Sequence, residues 1–166
     1  MNLDIRQAKD SDAHYLVDID RKSYEHPFEI RDWQSLAINC PEWDLCIAIV
    51  DFRYCGYSIC EDNRADRVMT IHRLGVIPNF RGRNIGSMLL HRLEYKAVAA
   101  QMKSIEIPLH ETSCQGKNDP YDVTEWLIKK GFKCLRIEEA LFQAYGKPMD
   151  GYIFGKTVEE VKLEVT

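Results

Sequence analysis

The apolar positions of the chain switch repeatedly between a period of two and a period near 3.6, and these switches predict its elements. Leu3 and Ile5 alternate with polar neighbours and predict a strand over residues 2–7. Asp10-Ser11-Asp12 supplies helix-capping side chains, and Leu16, Val17 and Ile19 form a helical stripe to about Ser23. Pro27 breaks that helix, and Ile30, Trp33, Leu36 and Ala37 predict a second one over Glu29 to Asn39, closed by Cys40-Pro41. Two strands follow, 44–50 and 54–61, joined by Asp51-Phe52-Arg53, a connection short enough for a hairpin. After a polar turn at 63–67, Val68, Ile71, Leu74, Val76 and Ile77 form a strand that stops at Pro78-Asn79. Ile85, Leu89, Leu93, Ala97 and Ala100 then keep one buried face of a helix.

The remaining chain repeats this switching. Ile105, Ile107 and Leu109 share one face of a strand over 103–109, while Glu106, Pro108 and His110 share the other. A polar loop over 111–119 leads to Pro120, which suits the first turn of a helix carrying Val123, Trp126, Leu127 and Ile128. Gly131-Phe132 ends that helix and opens a long strand to about Tyr145. The cluster at 146–151 predicts a turn, from which Tyr152 to Val158 returns antiparallel. Residues 158–166 read as a frayed strand end or a short helix. The order predicts an α+β fold, a mixed and mostly antiparallel sheet flanked by helices, with one parallel strand–helix–strand crossover that should be right-handed.

Composition narrows the class. At 166 residues, 45% hydrophobic and 29% charged, the chain reads as a single domain over 1–166. A net charge of −4 argues against broad nucleic-acid binding, and no apolar run reaches the ~18 residues of a membrane span. The first residues lack the basic-then-apolar layout of a secretion signal. The six cysteines form no C-x₂-C pair and read as reduced thiols used as small hydrophobes, so we expect a cytoplasmic protein and no metal.

One stretch carries chemistry. Between the strand ending near Ile77 and the helix beginning near Ile85 lies Arg81-Gly82-Arg83-Asn84-Ile85-Gly86. Two glycines and an asparagine tolerate positive φ, so several N–H groups can converge at the positive end of a helix dipole beside two arginines. That combination reads as a seat for a pyrophosphate or as a plain strand–helix connection. A nucleoside-triphosphate loop fits less well, because no Gly-Lys-Ser or Gly-Lys-Thr follows.

The stretch LGV-IPNF-RGRNIGSMLL resembles the acyl-CoA-binding motif of the GNAT superfamily of N-acyltransferases: Arg or Gln, two residues, Gly, one residue, Gly or Ala. Arg81 and Gly86 match its ends, and Asn84 stands where the family prefers glycine. The resemblance extends in element order from about residue 3 to about 156. It implies acetyl-CoA as acyl donor and an amine acceptor, either a small molecule or a protein N-terminus or lysine. It further implies pantetheine contacts at Leu74, Gly75 and Val76, and pyrophosphate contacts at Arg81, Gly82, Arg83, Asn84, Ile85, Gly86 and Ser87.

An alkylammonium with a pKa near ~10 needs a base at neutral pH. Glu106 is the first candidate, because IEIP resembles the Leu-Glu-Val of the ribosomal-protein alanine N-acetyltransferase subgroup; a solvated strand carboxylate or an ion-pair partner is the plain alternative. His72 titrates in the useful range, or is simply a hydrogen-bonded strand histidine. His110, Glu111 and Cys114 lie at a strand end and in the next loop. For the acid that protonates the thiolate, many family members carry a tyrosine four residues before Gly-Phe. Here Leu127 holds that position, so the role does not transfer; Tyr121, six residues away and on a different helix face, is kept as a candidate beside it. An acyl-CoA-binding or interaction module with little turnover is the competing reading.

Overall fold

The computed structural model describes residues 1–23, 42–110, 123–144 and 147–162. The helix expected over 29–39, the polar loop at 111–119 and Tyr121 lie outside the described residues. Strand β1 (Leu3–Gln7) is followed by a 3-10 turn (Asp10–Asp12) and helix α1 (Ala13–Ser23). Strands β2 (Trp43–Val50), β3 (Arg53–Asn63) and β4 (Val68–Val76) come next, then helix α2 (Ile85–Ala99) and β5 (Ser104–His110). Helix α3 (Val123–Lys129) and strands β6 (Lys133–Ala144) and β7 (Lys147–Thr157) complete the order, with a last 3-10 turn at Val158–Glu160.

The strands form one seven-stranded sheet in the order β1-β2-β3-β4-β5-β7-β6. Among the described residues only β4 and β5 are parallel neighbours, joined through α2. The α+β fold with a single parallel crossover is therefore as expected. The β2–β3 hairpin turns on Asp51 and Phe52, both at positive φ (47° and 67°), so its loop is one residue shorter than the expected three. The predicted turn at 146–151 is also too long. Lys147 to Met149 already pair with Ala144 to Phe142, and among the described residues β7 has no second strand neighbour before Gly151. A proline lacking its N–H is tolerated at Pro148 for that reason.

Alternation divides the core between the two faces of the sheet. On one face, Leu16 and Ile19 of α1 pack on Leu45, Ile47, Tyr57 and Ile59. On the other, Leu90, Leu93 and Ala97 of α2 pack with Met69, Ile71, Ile105, Leu127 and Phe132. The expected stripe of α2 is buried at Ile85, Leu89, Leu93 and Ala97, whereas Ala100 lies past the helix end and is exposed. In α3 the stripe narrows: Leu127 is 1% exposed and Ile128 is 58% exposed. Leu127 therefore serves the core.

Candidate active site

The opening in the sheet follows from register. Strands β4 and β5 pair at Val68↔Ser104, Met69↔Ile105 and Thr70↔Glu106, and no pairing continues beyond Thr70 among the described residues. Further up β4, the Val76 carbonyl is met by Arg81, whose Nε donates to it at 2.8 Å, rather than by a strand. Leu74 and Val76 thus lie on the unpaired side of β4, close to Gly86 at the N-terminus of α2, and mark an opening there.

That terminus has the backbone the sequence foresaw. Gly82 (φ 74°) and Asn84 (φ 63°, ψ 10°) are both left-handed, and Asn84 accepts the first helical bond from the Met88 N–H at 2.9 Å. The N–H groups of Ile85, Gly86 and Ser87 precede any intrahelical acceptor and point out along the helix axis, toward an anion's place. At Gly86 the missing side chain keeps the opening clear. A Cβ there would stand 3.7 Å from Leu74 Cδ2 and Trp126 Cζ2 and 3.9 Å from Val76 Cγ2. The Ile85 side chain is 1% exposed and packs with Phe80 and Leu89, so only its backbone is available to a ligand.

The two arginines of the turn do not converge. Arg81 is tied to the end of β4, while the Arg83 guanidinium lies 5.0 Å over the Phe80 ring. Arg83 faces a depression of about 320 Å³ that also includes Val50, Asp51 and Arg53 at the β2–β3 hairpin. An anion seated here would be held first by backbone N–H groups and the helix dipole. The turn, the open strand edge and the bare Gly86 together fit a pyrophosphate with a slender arm running down between β4 and β5.

At the closed end of the opening the candidate bases differ in state. Both Glu106 oxygens accept from Arg136, at 2.9 and 3.0 Å, and Arg136 Nε also donates to Glu138 at 3.0 Å. The Glu106 contacts, and then Glu138, push the guanidinium pKa further above its ordinary value. Arg136 thus engages both Glu106 oxygens in a two-pronged fork. His72 is joined through Nε2 to Glu61 Oε2 at 2.8 Å and stacks on Trp43, with centroids 4.8 Å apart and planes 8° from parallel. Sequence reasoning missed Glu61, Trp43 and Arg136, because none is near its partner in the chain and strand register is not legible from alternation. Tyr121, Glu111 and Cys114 lie outside the described residues, and His110 sits 5.4 Å from the Phe142 ring.

Other chemistry is quiet. Cys46, Cys55, Cys60 and Cys134 are free thiols; burial pushes the first three up to about 12, 11 and 12. Thiols so raised are poor nucleophiles. No group of three metal-ligating side chains occurs among the described residues, and none of the described helices is long and apolar enough to cross a membrane.

Comparison with known proteins agrees with this geometry. The model of the acetyltransferase (GNAT) family matches residues 13–115. No curated protein matches the chain significantly. Among solved structures, the ribosomal-protein-S18-alanine N-acetyltransferase from Escherichia coli superposes with a TM-score of 0.77 at 12% identity, covering 99% of each chain. Arabidopsis thaliana NAA60 in complex with acetyl-CoA gives 0.77 at 17% identity, over 95% of this chain and 99% of that one. A spermidine N-acetyltransferase SpeG chimera from Vibrio cholerae and hSSAT gives 0.78 at 12% identity, over 96% and 98%. Identities this low establish the shared fold.

Proposed function

Because the chain belongs to the acetyltransferase (GNAT) family and is an acyltransferase, we propose that it carries an acetyl group from acetyl-CoA to a primary amine, either a protein N-terminus or lysine or a small polyamine. The observation that carries this reading is the opening between β4 and β5 meeting the left-handed turn at Gly82 and Asn84. In it the N–H groups of Ile85, Gly86 and Ser87 would hold the pyrophosphate, with Gly82, Arg83 and Asn84 shaping the turn and Arg81 fixing it to β4. Leu74, Gly75 and Val76 would flank the pantetheine. Acetyl-CoA, when bound, supplies the thioester; the chain orients it and provides the group that accepts the amine's proton. Glu106 and His72 both stand near the closed end of the opening on the α1 side of the sheet. Tyr121 is retained as a candidate acid.

The free, buried thiols of Cys46, Cys55 and Cys60 support a cytoplasmic setting. A binding module with little turnover is the second reading, favoured by the burial of Leu127 where relatives carry tyrosine and by the clasp of Arg136 on Glu106. Thiol release from acetyl-CoA, measured with peptides bearing free N-termini, polyamines and aminoglycosides, separates the two. Release above the background hydrolysis rate with one amine class names the acceptor. CoA affinity without release from any of them leaves the binding module.

A further inference from the structure

We propose that the proton acceptor of the transfer is His72, held in one tautomer by Glu61 and in one plane by Trp43; this deepens the acetyltransferase reading and rests on it. The argument begins with a bulge. Against β3, Ile59 pairs with Arg73 and Cys60 with Ile71, so His72 is an extra residue without a cross-strand partner. Met69 and Ile71 point under α2, and Leu74 also packs on that side. Between them the bulge turns both His72 and Arg73 to the α1 face, where Arg73 meets Asp20 at 2.7 and 2.8 Å and His72 meets Trp43. Bulges re-aim side chains in this way beside functional sites.

Height along the strand matters as much as face. The last β4–β5 pair is Thr70↔Glu106, so His72 stands where the strands have just parted and a thioester between them would end. His72 is 30% exposed and Glu61 40% exposed, so an acceptor can reach the ring. With the Glu61 carboxylate accepting from Nε2–H, the lone pair is left on Nδ1, which has no hydrogen-bond partner among the described residues. Among the described residues of this face, Asp20 pairs with Arg73 and Glu106 with Arg136. The acceptor ammonium gives one proton to Nδ1, and the freed lone pair attacks the thioester carbonyl. A C–N bond forms as the C–S bond breaks, the second nitrogen proton leaves with the thiolate as the free thiol, and Nδ1 returns its proton to solvent. Glu61 is the positioning residue.

The test uses the full chain and its His72→Gln, Glu61→Gln, Glu61→Asp and Glu106→Gln variants. Thiol release from acetyl-CoA is followed with spermidine and with a hexapeptide bearing a free N-terminus, from about pH 6 to about pH 10. His72→Gln should lower kcat by about 10²–10⁴-fold near neutrality, with CoA affinity unchanged and the deficit shrinking at alkaline pH. Glu61→Gln should lower kcat and alter the acid limb of the profile, because the ring loses the carboxylate that fixes its tautomer, and Glu61→Asp should restore part of the change. An acid limb that moves in Glu106→Gln but not in Glu61→Gln, or an undiminished kcat in His72→Gln, overturns the proposal. Nitrogen-15 NMR of the imidazole separates this failure from that of the parent reading. An Nδ1-protonated ring overturns the dyad even if both amines are acetylated; an Nε2-protonated ring without any thiol release overturns acetyl transfer to these amines and, with it, the role of the dyad.

Discussion

Single residues decide whether the cofactor turn can form and stay clear. Asn84 sits in the left-handed region (φ 63°), where asparagine is tolerated, glycine is free of strain and a β-branched side chain collides with its own backbone. Asn84→Gly should therefore lie within about 0.5 kcal/mol of wild type in urea denaturation, while Asn84→Val should cost about 1–3 kcal/mol. Equal midpoints for the two would remove the backbone argument. Gly86 is different, since its own φ is not in the left-handed range and an added Cβ meets only ordinary contacts. Gly86→Ala should fold with a midpoint close to wild type. Gly86→Glu directs a carboxylate and its bulk into the anion's approach, so titration calorimetry should find CoA binding lost in a folded protein. Undiminished affinity would place the pyrophosphate elsewhere.

At the scale of elements, the strands and helices of the described chain were legible wherever one period ran cleanly. Leu3 and Ile5 announced β1, and Ile85 to Ala97 announced α2. The left-handed turn was legible too, because glycine and asparagine advertise it. What alternation could not disclose was the bulge at His72, which shifts the phase of β4 and brings Glu61 to His72. Nor could it disclose Arg136 reaching Glu106 across β7. Such pairs depend on register, which is set by the whole sheet. A more local link fixes the entry to α1: Arg6 of β1 donates to both Asp12 oxygens, at 2.8 and 3.0 Å, and the Lys9 N–H donates at 2.7 Å. The Arg6 contact chiefly, then the Lys9 bond, outweighs burial and holds the Asp12 carboxyl below its usual range. A carboxylate with a depressed folded pKa stabilises the fold at pH above its unfolded value near 3.8, and that contribution is lost as pH falls through the folded value. Asp12→Asn should cost about 1–3 kcal/mol at neutral pH and show a smaller loss of stability than wild type on acidification below about pH 4. Parallel acid profiles for the two proteins would show that the link contributes nothing to folding.

Across the whole molecule, the walls of the opening belong to separate elements and must be held in register by something other than the sheet. Leu74 and Val76 come from β4, Gly86 from α2 and Trp126 from α3. Behind them, buried Lys156 of β7 pairs with buried Glu94 of α2, each 6% exposed. The same ammonium donates to the Lys130 carbonyl at the end of α3 at 3.0 Å and lies 5.1 Å from the Phe132 ring. One side chain thus joins both helices to the sheet. A buried pair of this kind adds little net stability over an apolar pair of the same shape, but removing one member strands the other charge. Lys156→Met should therefore cost about 3–5 kcal/mol, leaving Glu94 unpaired and the α3 carbonyl without its donor. Replacing Glu94 by leucine in the same chain should recover most of that loss, giving a coupling free energy of about 2–3 kcal/mol in a double-mutant cycle. If the pair also sets the spacing of α2 and α3, the restored double variant should bind CoA more weakly than wild type, since Lys130 stays untethered. Full affinity in the double variant would confine the pair to stability, and additive losses in the cycle would deny the coupling itself.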